Sequence, residues 1–68
     1  MKNNLKEIRE KNSLTQVELA NLVSVSRQTI ISIEKEYYVP TTALALKLAN
    51  VLKTKVENIF ILEKADWK

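Results

Sequence analysis

Apolar residues recur along this chain at helical spacing, in short blocks separated by polar stops. Leu5 and Ile8 predict a first helix from about Asn4 to Asn12, with Leu5, Ile8 and Arg9 turned inward. Leu19, Leu22 and Val23 fall at i, i+3 and i+4 and predict a second, amphipathic helix over about Gln16 to Val23. Ile30 and Ile33 mark the inner face of a third, about Arg27 to Lys35. Leu44, Leu48, Val51 and Leu52 are core candidates of a fourth, about Thr42 to Leu52. A short fifth helix, about Val56 to Ile59, precedes the tail Phe60-Ile61-Leu62-Glu63-Lys64, which is apolar and β-branched enough for a strand. No linker, repeat or low-complexity segment interrupts the pattern, so residues 1–68 read as one all-α domain.

The polar residues between these blocks carry start and stop signals. Thr15 followed three residues later by Glu18 fits a capping box, hydroxyl onto a free amide and carboxylate back onto the cap. Ser26 caps the third helix and Thr54 the fifth. Pro40 disfavours helix at Val39, so Tyr37-Tyr38-Val39-Pro40 reads as a loop. The chain has no Gly, so its helix stops must come from Asn, Ser, Thr and Pro. Ser24-Val25 forms the turn between the second and third helices, with Val25 as an apolar plug. A positive φ there suits Gly or Asn better than Ser24, which predicts a shifted or mildly strained turn. Ala20 is small enough to let another helix come close. Arg27, Gln28, Thr29, Ser32 and Lys35 fall outward on the third helix. Two short helices, a tight turn and a polar outer face make a helix-turn-helix, whose second helix is free to enter a DNA groove.

The residues Leu5-Lys6-Glu7-Ile8-Arg9-Glu10, Leu14-Thr15-Gln16, Leu19-Ala20, Val25-Ser26-Arg27-Gln28-Thr29-Ile30, Ile33-Glu34-Lys35, Pro40 and Ala45-Leu46-Lys47-Leu48-Ala49 carry a resemblance. Their order and spacing resemble the Cro/CI-type (XRE) helix-turn-helix family of repressors. The layout is most similar to that of very short dimeric repressors of the bacterial cytolysin-operon type. The resemblance implies a five-helix, lambda-repressor-like bundle and a bacterial or phage setting. It also implies a two-stranded antiparallel sheet joining Met1-Lys2-Asn3 to the tail. An ion pair between Arg9 and Glu34 follows from it, tying the first helix to the third. So does a Gln16 that touches phosphate and braces Gln28. The chain departs from the family at Ser24, where Gly is usual, and at Glu36, where Asn or Gly is usual. A carboxylate at Glu36 opposes the helix dipole and repels phosphate.

Composition narrows the chemistry. A domain of 68 residues is too short for a catalytic cleft on a separate scaffold. Without Cys or His there is no disulfide framework, and no transition-metal or zinc site is expected. No cofactor is expected either. An enzyme reading has no His, no Cys, no Gly-rich phosphate loop, and Ser or Thr residues without a base. Eleven basic against eight acidic residues give +3, a modest bias that suits a nucleic-acid partner without demonstrating one. No apolar run approaches the ~18 residues of a membrane span, and no signal-peptide pattern is present, so a soluble cytoplasmic protein is expected.

Arg27 and Gln28 are the candidate base contacts, because Arg suits guanine O6/N7 and Gln suits adenine N6/N7. Ser32 lies a turn further on, at a position the family uses for bases. Gln16, Thr29, Lys35 and Tyr37 are the phosphate candidates, with Thr29 equally readable as a surface hydroxyl. Tyr38 is placed in packing. Ile59, Phe60, Ile61, Leu62 and Trp67 are many large apolar residues for the end of a small domain. An apolar patch of that kind marks an interface, here a homodimer through the fifth helix and the tail. The resulting expectation is a homodimeric repressor that acts sterically on a palindromic operator. With no second domain, no small-molecule effector is expected. The competing reading is a protein-interaction module, such as an antitoxin-like partner using the same tail.

Overall fold

The computed structural model describes residues 1–67. In chain order they form β1 (Lys2–Asn3), α1 (Leu5–Lys11), α2 (Gln16–Leu22), α3 (Arg27–Glu34), α4 (Thr42–Val51), α5 (Val56–Ile59) and β2 (Phe60–Ile61). A 3₁₀ turn, Lys64–Trp67, follows them. Side-chain caps start three of the helices. Thr15 and Glu18 close a full capping box on α2: Thr15 Oγ1 accepts from Glu18 N at 3.1 Å, and Thr15 N donates to Glu18 Oε1 at 2.8 Å. Ser26 Oγ accepts from Thr29 N on α3, and Thr41 Oγ1 from Leu44 N on α4. Each satisfies an amide that the helix itself leaves unpaired. Thr54 does not cap α5. Lys55 occupies that position without a side-chain hydrogen bond, and the Thr54 hydroxyl instead accepts from Asn58 Nδ2 at 3.0 Å.

The helix ends follow one rule that the residue types do not announce. Ser13, Ser24, Glu36 and Lys53 all have positive φ, between 56° and 65°. Each sits just past a helix, and each helix closes with the same pair of hydrogen bonds. After α2, Ser24 N donates to Asn21 O and Val25 N to Ala20 O. After α3, Glu36 N donates to Ile33 O and Tyr37 N to Ser32 O; α1 and α4 repeat the pattern at Leu14 and Thr54. This is the Schellman closure, which normally recruits Gly at the left-handed position. The turn at Ser24 is therefore in place rather than shifted, and Ser24 carries the strain. The expectation that Asn, Ser, Thr and Pro supply the stops fails at α3 and α4, where Glu36 and Lys53 take the left-handed position. The closing hydrogen bonds and the anchoring of the next residue outweigh the Cβ penalty there.

Leu5, Leu19, Ala20, Val23, Ile30, Ile33, Leu44, Leu48, Ala49, Leu52 and Ile59 form the core. Ile8, Leu14, Val25, Val51, Val56 and Phe60 pack around it half-buried, so Val25 does act as a plug and Val51 lies at the margin. Leu22 is a correction: it is 56% exposed. The buried face of α2 is Leu19, Ala20 and Val23, and at 100° per residue Leu22 falls on its rim. Val23 lies at the centre of that face, and Ala20, with the shortest side chain of the three, is buried at its edge.

The terminal sheet is shorter than the apolar tail. It pairs Lys2 with Ile61 and Asn3 with Phe60, antiparallel. Beyond Ile61 the chain turns away, because Asp66 Oδ2 accepts from Glu63 N at 2.8 Å and Asp66 N donates to Glu63 O at 3.0 Å. The Met1 amine lies 3.3 Å from Glu63 and 3.5 Å from Asp66. Asn3 makes the sheet structural for the helices. Its Oδ1 accepts from Leu5 N at the start of α1, and its Nδ2 donates to Ile33 O in α3 at 2.8 Å. Among the described residues no helix is long and apolar enough to cross a membrane.

Left-handed backbone at a non-Gly residue costs roughly 1–2 kcal/mol, part of which Gly returns as unfolded-state entropy. Lys53→Gly is therefore expected to stabilise the domain by about 1 kcal/mol, raising Tm by roughly 4–8 °C. Thermal unfolding followed by circular dichroism checks this. An unchanged or lower Tm would mean that the Lys53 side chain contributes more than its backbone costs.

Candidate nucleic-acid interface

The turn between α2 and α3 leaves one face of α3 open. Ile30 and Ile33 are buried against the core, and Arg27 and Gln28 stand exposed on the first turn of the opposite side. Ser32 lies half-buried one turn further along. The side chains of Arg27, Gln28 and Ser32 make no hydrogen bond to another described residue. Thr29 differs from these three. Its hydroxyl lies 3.1 Å from Ser26 Oγ, so part of its bonding capacity is used in the cap. Lys35 ends α3 and is exposed, a cation where the helix dipole favours one. Tyr37 projects from the turn that follows, 82% exposed.

Tyr38 is the residue whose place the sequence did not indicate. Packing does not bury it: it lines a shallow depression together with Ser26, Gln28, Thr29 and Ser32. The left-handed turn at Glu36 carries the chain back beside α3, and this puts the ring next to the exposed polar face. Only the periodicity of the loop relative to Pro40 could have hinted at this, and a loop has no fixed periodicity.

Behind that face lies a polar brace. Arg9 Nε donates to Glu34 Oε2 at 2.7 Å, Arg9 Nη2 to Glu34 Oε1 at 3.3 Å, and Arg9 Nη1 to Leu14 O at 2.9 Å. The two side chains retain only 9% and 6% of their exposure. The hydrogen bond with Glu34 raises the Arg9 pKa further, so the guanidinium stays charged. Gln16 joins the same group. Its Nε2 donates to Glu34 Oε1 at 3.1 Å, so it braces Glu34 and not Gln28. A charged carboxylate is a stronger acceptor than a neutral amide oxygen.

A second surface is apolar. Pro40, Ala45, Leu46, Val56, Phe60, Ile61 and Leu62 line an open groove of about 720 Å³, with Met1, Thr42 and Glu57 at its edges. Ile61 and Leu62 are exposed there, as expected of an interface. Ile59 is a correction, because it is fully buried in the core of its own chain and has no surface to offer a partner. Phe60 is half-buried and divides its ring between core and groove. Trp67 lies exposed on the 3₁₀ turn.

An α2–turn–α3 unit with a free polar outer face defines a DNA-reading helix-turn-helix domain. Residues 5–59 match the helix-turn-helix family, and the chain belongs to it. It is a DNA-binding regulator and not an enzyme. It is 52% identical over 63 residues to an uncharacterized HTH-type transcriptional regulator of Methanocaldococcus jannaschii, covering 93% of this chain and 96% of that one. A regulator of the same description from Archaeoglobus fulgidus is 44% identical over 69 residues, covering 100% and 97% of the two chains. Another, from Bacillus subtilis, is 44% identical over 64 residues, covering 94% and 97%.

A buried pair that loses one partner leaves an uncompensated charge, at a cost of about 3–5 kcal/mol. Glu34→Ala is expected to destabilise on that scale. The double change Arg9→Ala/Glu34→Ala is expected to cost less than the two single changes added together. Denaturant unfolding of the four proteins gives the coupling directly, and above about 1 kcal/mol it marks a real pair. A coupling near zero would reduce Arg9 and Glu34 to independent charges.

Proposed function

We propose that this chain is a homodimeric, sequence-specific transcriptional repressor that inserts α3 into the major groove of a palindromic operator. One observation carries the reading. Arg27, Gln28 and Ser32 share the open face of a helix held rigidly from behind, with their side-chain donors and acceptors unengaged. Arg27 and Gln28 have the geometry for bidentate contacts to guanine and adenine edges, and Ser32 extends the same face. Gln16, Thr29, Lys35 and Tyr37 flank it as contacts to phosphate, which fix register without reading sequence. Arg9 and Glu34 act as a structural pair. The relatives' description as transcriptional regulators supports the regulatory role. Repression is steric and takes place in the cytoplasm, with no small-molecule effector.

A single short helix supplies few contacts against a genome of competing sites, so two half-sites are needed for useful affinity. The apolar groove supports a second copy of this chain as the partner, through Phe60, Ile61 and Leu62. Dimer symmetry then places the half-sites one helical turn, about 34 Å, apart.

Selection from a random DNA pool followed by sequencing is expected to enrich a palindrome with that spacing. Against the enriched duplex, Arg27→Ala and Gln28→Ala are each expected to lose about 1–3 kcal/mol per base contact, one in each half-site, with the fold intact. Equal losses on scrambled DNA would reassign both residues to phosphate. Leu62→Asp, at an exposed position, is expected to shift the protein to a folded monomer in analytical ultracentrifugation at micromolar concentration. A monomeric wild type that binds the palindrome tightly would overturn the dimer, and a monomer that captures no DNA would favour a protein-interaction module.

A further inference from the structure

Glu34 makes more bonds than a brace between two helices requires. Its Oε2 is taken by Arg9 Nε at 2.7 Å. Its Oε1 is shared between Arg9 Nη2 at 3.3 Å and Gln16 Nε2 at 3.1 Å. An ionised carboxylate only accepts, so the Gln16 atom facing it must be the amide nitrogen and not the amide oxygen. This fixes an orientation that a free glutamine at the start of α2 would lose by rotation. Gln16 as a residue is half-buried. One N–H of this amide is bound to Glu34, and the second has no partner among the described residues.

We infer that Glu34 is a positioning residue for DNA binding: it holds the Gln16 amide so that its second N–H is presented to a backbone phosphate. The inference rests on the reading of Gln16 as a phosphate contact. Arg9 fixes Glu34, Glu34 fixes Gln16, and Gln16 meets the DNA. The ion pair that locks α1 to α3 thereby also sets a contact made from α2. A phosphate oxygen accepts and cannot donate, so an amide turned the other way, oxygen outward, would present the wrong group.

The test compares Gln16→Met, the apolar replacement Arg9→Met/Glu34→Met, and the triple variant. Exchanging a whole buried pair for apolar side chains of similar volume is well tolerated by folded domains. Binding is read by fluorescence anisotropy on the selected palindromic duplex and on a scrambled duplex of equal length, with circular dichroism reporting the fold. Gln16→Met is expected to weaken both duplexes by at least about tenfold, since each half-site of the dimer loses one hydrogen bond to a charged acceptor. The pair replacement is expected to weaken both by the same factor, and the triple variant to lose no more. A pair replacement that binds like wild type, or a triple variant that multiplies the two losses, overturns the inference while the Gln16 contact stands. A Gln16→Met variant of unchanged affinity removes that contact itself. Should the pair replacement fail to fold, the side-chain amide signals of Gln16 in the wild-type NMR spectrum decide. One amide proton shifted and exchange-protected relative to free glutamine before DNA is added, and movement of the other proton on addition, support the inference. Two protons that behave like those of a free glutamine overturn it.

Discussion

The Arg9–Glu34 pair is the constraint around which the rest of this small domain is arranged. Taking two charges out of water is expensive, and their attraction repays the cost only when every remaining donor and acceptor finds a partner. Here they do. Three guanidinium nitrogens reach Glu34 or the Leu14 carbonyl, Gln16 completes the carboxylate, and no buried side-chain polar atom among the described residues lacks a partner. Apolar contacts between helices tolerate small rotations and slides. A carboxylate held by both Nε and Nη2 does not, so the pair sets the register of α1 against α3 in a way the surrounding leucines and isoleucines cannot.

The backbone around that pair is under mild strain. Four helices close through left-handed residues, and none of the four is Gly. Each closure redirects the chain sharply and satisfies two carbonyls at the helix end. The apolar core carries this cost: seven side chains, from Leu5 to Ile59, are almost wholly removed from water. A domain of this size has little stability to spare. Beside α4 and α5 the open groove leaves further apolar surface uncovered.

The molecule therefore presents two unlike surfaces. Around α3 the side chains are polar and uncommitted, and the helix beneath them is fixed at both ends, by the Ser26 cap and by the closure at Glu36 and Tyr37. Around the tail they are apolar and only partly covered. A rigid polar face suits recognition of hydrogen-bonding edges, because donors held in place lose little entropy on binding. An apolar groove suits another protein surface. Asn3 connects the two, with one end of its amide at α1 and the other on the last turn of α3.

Local chemistry was enough to specify much of this. The capping box at Thr15 and Glu18, the cap at Ser26, the loop before Pro40 and the inward Ile30 and Ile33 all involve residues within four positions of one another, where geometry follows from backbone and spacing. The outward setting of Arg27 and Gln28 follows from the same periodicity. Other features were decided only by the tertiary structure. Leu22 matched the helical stripe but lies on the rim, because the direction of the core depends on where α3 packs. Ile59 read as surface and is core, because the tail is covered by elements distant in sequence. Lys53 and Glu36 carry no local signal for left-handed backbone and adopt it because the next helix or loop must start in a particular direction. The Gln16–Glu34 bond spans 18 positions and Tyr38 reaches the open face of α3 through a loop without periodicity. Spacing along the chain governs contacts within a turn of helix. Contacts between elements depend on how the whole set packs, and no single segment encodes that.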